Sequence, residues 1–186
     1  MGELLVESRR KKISTIEKKY PQAKIIDVTS KSSQPWVKFS PFYPVGDIPI
    51  PFSEGVYAKT VEGIWQGLKV FSEFDIDRSK FKIENMKGIK RTVRKHGKVL
   101  GHRKGVSGEL LDYITARKLI YVPAYNYVLK NFLATEIHEL MDILQHKNII
   151  LLDYETNTDI NNPTKPLSHA SLIAKYVMDK KTAVPL

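Results

Sequence analysis

The chain contains no cysteine. That absence removes disulfides, thiolate metal ligands and a Cys nucleophile together, and it suits a reducing cytoplasm. Long apolar runs are also missing. "IILL", Ile149–Leu152, falls far short of a membrane span. No G-x-S-x-G marks a serine hydrolase, and no G-x-G-x-x-G or Walker pattern marks a nucleotide loop. The five histidines are scattered, and no carboxylate joins His138 and His146 in a ligand spacing, so no metal and no cofactor are expected. At the start, "MGELLVESRRKK" places its charge after its apolar residues, the reverse of a secretory signal. It also lacks the Ser or Thr at the sixth position that myristoylation requires. No internal repeat is visible.

What remains is an ordinary globular composition with an excess of positive charge. The 186 residues are 42% hydrophobic and 27% charged, with a formal net charge of +10. The length suits one domain, residues 1–186. The charge favours an anionic partner, such as DNA, RNA or a phosphate-rich ligand, though it also serves solubility. No membrane partner is expected.

Leu5, Ile13 and Ile16 on a charged background predict an amphipathic N-terminal helix within residues 1–21, ended by Pro21. Ala23–Thr29 reads as a strand. From Trp36 to Phe52 prolines and aromatics leave only edge or extended structure. Thr60 is a candidate N-cap for a helix running to Phe71, and a loop, Ser72–Phe81, then leads to a short strand. Met86–Gly105 carries Lys87, Lys90, Arg91, Arg94, Lys95, Lys98, Arg103 and Lys104 with no acidic residue among them. Its glycines limit helix to a turn around Lys90–Lys95, and exposed backbone beside Arg and Lys suits phosphate. Ser107 is read as the cap of the next helix, Pro123 as the start of another, and Thr135–Lys147 as a third. Asn148–Tyr154 is a buried strand, and a last helix follows Ser168. The order predicts an α+β fold, mainly helical with a small sheet, its core over residues 36–178.

Two stretches concentrate chemistry. In "TVEGIWQGLKVF", Val61, Ile64, Trp65, Leu68 and Phe71 share an apolar face, and Glu62, Gln66 and Lys69 lie beside it. On the pattern alone an exposed ion pair is the ordinary reading of this face. Gly63 and Gly67 argue for the site, since each costs about 1 kcal/mol in a helix and permits close approach of a backbone or ligand. The loop from Asp153 to His169 gathers Glu155, Asn157, Asp159, Asn161, Lys165 and Ser168 after a buried strand. A site and an Asn/Asp turn are equally good readings of it.

These pieces together resemble the NADAR family. Phe39, Ser40, Phe42, Tyr43 and Pro44 match its F-S-N-F-Y-P-like turn. Thr60, Glu62, Gln66, Lys69 and Phe71 match its [ST]-x-E-H-x-x-Q-x-x-K helix. Lys90, Arg91, Gly101, His102 and Arg103 loosely follow its basic stretch, and "LLDYETNTD" echoes a later segment that places Asp159 at the acidic position. Pro41 and Gly63 depart from the usual Asn and His, and a late Trp-Gly is missing. The resemblance implies an N-glycosidase that cleaves a ribosyl C–N bond, such as ADP-ribose on guanine in nucleic acid, or a related nucleotide glycoside. Glu62, Lys69 and Asp159 would be catalytic. Phe39, Ser40, Tyr43, Trp65, Gln66, Lys90, Arg91, His102, Arg103 and Asn157 would hold substrate, with Arg91 and Arg103 on phosphate. Two other readings stand beside it: a pocket that binds ADP-ribose without cleaving it, and a nucleic-acid-binding protein working through Lys87–Lys104.

Overall fold

A computed structural model describes residues 2–183. The backbone divides into two compact units, residues 1–40 with 129–186, and residues 41–128. Helix exceeds strand, and the strands form three small sheets, so the fold is α+β and mainly helical. Among the described residues no helix is long and apolar enough to cross a membrane.

The first unit begins with β1 (Leu4–Ser8), α1 (Ile13–Lys19) and β2 (Lys24–Asp27). The expected helix from Leu4 is therefore a strand, a turn and a shorter helix. Leu5, Ile13 and Ile16 mimic helical spacing, but only Ile16 is buried and Ile13 is exposed. Leu4–Ser8 instead completes a backbone ladder with Ile149–Asp153.

In the second unit β3 (Ile48–Pro49) pairs with β4 (Tyr57–Ala58), the short extended structure its prolines allow. Helix α2 (Val61–Leu68) follows, with the Thr60 hydroxyl accepting from the Gly63 N–H at 2.8 Å. The helix stops at Leu68, short of Phe71, because Lys69–Phe71 forms β5. Gly63 and Gly67 admit a neighbouring backbone. A Cβ on Gly63 would sit 2.6 Å from the Lys80 carbonyl oxygen, and one on Gly67 would strike the Phe81 ring. Those neighbours lie on a 3-10 turn, Arg78–Lys82, at the end of the stretch read as a loop.

α3 (Val93–His96) is a single turn, ended by Gly97. β6 (Val99–Arg103) then pairs with β5 and with β7 (Leu110–Leu111), taking residues expected in a loop and in the helix from Ser107. The helix begins one turn later. Asp112 caps it by accepting from Ile114 and Thr115 N–H groups, each at 3.0 Å. It runs as α4 (Tyr113–Ala116), a π turn (Arg117–Tyr121) and α5 (Val122–Asn131), in which the boundary between the units falls. Pro123 does not start a new helix. It offers no N–H to the Leu119 carbonyl and its ring crowds that carbonyl. The wider π turn lets the chain continue.

The first unit closes with α6 (Ala134–His146), β8 (Ile149–Asp153) and α7 (His169–Ala183). β8 is buried at all five positions and lies between β1 and β2, parallel to both. A strand flanked on both sides reads as a continuous apolar run for that reason. Ile150 and Leu152 pack with Ile16 of α1. Residues between them point to the opposite face by alternation.

Candidate functional site

Among the described residues each unit holds a buried polar cluster that includes a histidine. In the first unit it forms where β8 ends. The Ser168 hydroxyl donates to Asp153 Oδ2 at 2.8 Å, and His169 Nδ1 lies 3.0 Å from the same oxygen. His169 Nε2 lies 2.9 Å from the Val28 carbonyl oxygen. A carbonyl can only accept, so Nε2 carries a proton. The adjacent carboxylate draws the second proton onto Nδ1. Burial opposes the charge on His169, but Asp153 and Val28 outweigh it and raise its pKa, while Asp153 is held below the usual carboxylate range. Serine here bonds the carboxylate and not the imidazole, so this is no nucleophile–base pair. The cluster ties α7 to the ends of β8 and β2.

In the second unit the cluster starts on α2. Gln66 Nε2 donates to Glu62 Oε1 at 2.8 Å, one helical turn apart. Gln66 Oε1 accepts from the Arg91 N–H at 3.0 Å. The Arg91 guanidinium donates to the carbonyls of Gln66 (3.2 Å), Lys69 (2.6 Å) and Asp75 (2.8 Å). It thereby caps the carbonyl end of α2, where a cation is favoured. Glu62, Gln66 and Arg91 are all buried.

Lys69 opens β5, half-buried. Its pKa is lowered by burial first, then by Arg91 and Lys90, while Glu62 pulls the other way. Opposite it across the ladder stands His102 on β6, 1% exposed. Its ring stacks on Trp65 at 3.6 Å between centroids. Neither ring nitrogen has a hydrogen-bond partner. Burial, and secondarily the charge on Lys69, push its pKa down to about 3, so the imidazole is neutral. Tyr113 and Tyr121 meet Trp65 edge-on at 5.9 and 5.6 Å. A plain α-helix advances about 100° per residue, so residues eight apart differ by roughly 80°. The wider π turn reduces that offset and lets both tyrosines reach Trp65.

The other expected site residues divide as follows. Glu62, Gln66, Lys69, Trp65, His102 and Arg91 gather in the second unit, as described. Arg91 is committed to carbonyls, and Arg103 forks onto Asp75 at 3.0 and 2.6 Å, so neither guanidinium is open to phosphate as it stands. Lys90 is exposed, its Nζ 5.5 Å from the Phe42 ring centroid. Tyr43 is half-buried in the same unit. Phe39 and Ser40 belong to the first unit, both buried, with Phe39 stacked on Trp36. Asn157 and Asp159 also belong to the first unit. Asn157 bonds backbone groups of Asp159 and Lys165, and Asp159 Oδ1 accepts from the Asn161 N–H, which is turn-building geometry. Among the described residues no three His, Asp or Glu side chains gather as a metal site would need.

Sequence reasoning missed Tyr113, Tyr121 and the buried Arg117. Only the Pro123 that accompanies the π turn hints at them. The position of Gly63, where the resembled pattern has His, is now physically explained, because the Lys80 carbonyl occupies that space.

A family model matches residues 8–173, and it describes a family of unknown function, DUF6939. The chain belongs to DUF6939. No curated protein matches it. The residues of both polar clusters, from Val28 to His169, lie inside the span that defines this DUF6939 member.

Proposed function

We propose that this DUF6939 chain is a NADAR-like N-glycosidase that cleaves a ribosyl C–N bond, with ADP-ribose on guanine as the leading substrate. The observation that carries the reading is the second unit's cluster: a buried carboxylate positioned by an amide, beside a half-buried amine with a lowered pKa. Glycoside cleavage builds positive charge at the anomeric carbon. The Glu62 carboxylate stabilises that charge. Gln66 fixes the carboxylate's orientation and is itself held by the Arg91 N–H. In direct hydrolysis the C–N bond breaks and water supplies the new C–O bond. One water proton ends on the departing nitrogen and the other stays on the new anomeric hydroxyl.

Lys69 offers a covalent route. Its neutral amine attacks the anomeric carbon, the base leaves with a proton, and the opened sugar is held as a Schiff base. Water then releases ADP-ribose and restores the amine. The lowered pKa of Lys69 enlarges the neutral fraction near pH 7, so activity on this route rises with pH through the Lys69 titration. Trp65 and Tyr43 take the base, and Lys90 takes phosphate in place of the engaged Arg91 and Arg103. The cysteine-free sequence fits cytoplasmic work.

The test uses ADP-ribosyl guanosine with purified protein, followed by chromatography. Release of guanosine and ADP-ribose is expected, together with a borohydride-trapped adduct that Lys69→Met abolishes. Tight binding of ADP-ribose with no turnover of any guanine glycoside would replace catalysis with simple nucleotide binding.

A further inference from the structure

Folding separates the eight cations between Met86 and Gly105 into two sets. Arg91 is buried and bonded to carbonyls, Arg103 is forked onto Asp75, and Lys104 lies beside Glu109 and over the Phe52 ring. The other five, Lys87, Lys90, Arg94, Lys95 and Lys98, are exposed. Among the described residues none of the five pairs with a carboxylate, whereas the N-terminal basic run is largely neutralised. There Arg9 pairs with Asp27, Lys11 and Lys19 share Glu7, and Arg10 bonds the Tyr154 carbonyl. Five like charges left together near one helical turn repel one another until a polyanion arrives.

A second feature accompanies them. Phe74 is 49% exposed. Its ring meets His96 edge-on at 5.1 Å, and His96 closes the turn that carries Arg94 and Lys95. An exposed aromatic face beside unpaired cations is how single-stranded nucleic acid is held, with phosphates on the cations and a base on the ring. An anionic lipid surface asks for a longer amphipathic helix, and α3 has four residues.

We infer that α3 and its flanking loops dock a single-stranded nucleic acid, with Lys87, Arg94, Lys95 and Lys98 on its phosphates and Phe74 under one of its bases. This deepens the glycosidase proposal and rests on it for the chemistry alone: the substrate class becomes a polynucleotide that carries the ribosyl group. The docking surface is distinct from the Glu62 cluster.

The test measures fluorescence anisotropy with an unmodified single-stranded 12-mer, its duplex, and vesicles containing phosphatidylserine. Wild type is expected to bind the strand with a slope of log K against log salt of about −3, as four contacts imply. Lys87→Ala, Arg94→Ala, Lys95→Ala and Lys98→Ala combined should weaken binding by about tenfold or more at low salt. An equal charge loss at exposed positions elsewhere, Lys12, Lys18, Lys24 and Lys31 to alanine, should leave it within about threefold. Phe74→Ala should cost about tenfold on the strand and nothing on the duplex. Equal weakening by the two quadruple variants, equal binding of vesicles, or no strand binding at low salt overturns the inference.

A second readout separates this inference from the glycosidase reading. The first quadruple variant should lose cleavage of an ADP-ribosylated strand yet cleave free ADP-ribosyl guanosine as wild type does. Undiminished cleavage of both overturns the docking surface alone. Strand binding by wild type without cleavage of either substrate supports docking and overturns the glycosidase.

Discussion

Among the described residues two histidines are buried, one in each unit, and they are opposites. His169 has a carboxylate on one nitrogen and a carbonyl on the other. His102 has an indole against its face and no partner on either nitrogen. The first is protonated and closed, part of a clasp among β8, β2 and α7. The second is neutral and open. A buried polar group without a partner costs roughly 1–3 kcal/mol. The fold tolerates that cost beside Glu62, Gln66 and Lys69, where a ligand's hydrogen bonds would offset it. Burial alone therefore does not mark a functional histidine. Unmet hydrogen-bonding capacity beside other titratable groups is the better mark.

The sharpest break in this comparison is His169→Leu. It leaves the Asp153 carboxylate buried against an apolar chain and should destabilise the protein by about 3–5 kcal/mol in urea titrations. A loss under about 1 kcal/mol would mean the clasp is not a charged pair.

Acid sharpens the comparison next. His102 has a folded pKa depressed to about 3, against 6.5 when unfolded. The unfolded state binds its proton first, so this group lowers stability as pH falls from 6.5 toward 3, by roughly 5 kcal/mol in total. His169 runs the other way. Its raised pKa gives stability that is fully present below the unfolded value of 6.5 and is lost as pH rises through the folded pKa. Depressed Asp153 contributes above its unfolded pKa of 3.8 and loses that contribution as pH falls through its lower folded value. Melting temperature against pH should fall on both flanks, with His102→Phe removing part of the acid limb and His169→Asn removing the alkaline one. An unchanged acid limb in His102→Phe would contradict the neutral, open imidazole.

At pH 7 a smaller effect follows. His102→Phe keeps a ring on Trp65 and removes two unpartnered nitrogens, so stability should rise by about 1–2 kcal/mol. If stability drops instead, the nitrogens have partners in solution. Smallest of all is Asp159→Asn. An exposed turn residue should shift stability by no more than about 0.5 kcal/mol, so any larger loss of glycosidase rate at fixed stability would bring Asp159 into the chemistry.

Much of the fold was legible where local signals agree with the final packing. The Thr60 cap, the buried run at Ile149–Asp153 and the helix after Ser168 could all be read from residue type and spacing. β1 could not, because Leu4–Ser8 becomes a strand only when β8 offers a backbone to pair with. The same holds for β6 and β7, which take their conformation from β5. Of the site, Glu62 and Gln66 were legible as a pair four apart. Lys69 was legible as their neighbour, but on a strand and not on the helix. The engagement of Arg91 and the isolation of His102 were not legible, since both depend on what surrounds the side chain in three dimensions. Sequence pattern put Arg91 and Arg103 alike on phosphate, and the fold commits one to carbonyls and the other to Asp75.

The most direct test of where the chemistry lies is mass spectrometry of an oligonucleotide carrying ADP-ribosyl guanine. It would be incubated with wild type, Glu62→Gln and His169→Asn, at a temperature where all three are folded. Loss of the ADP-ribose mass with wild type and His169→Asn, and a drop of about 100-fold or more with Glu62→Gln, is the predicted result. Equal loss of mass with Glu62→Gln and wild type would contradict a catalytic site built on α2.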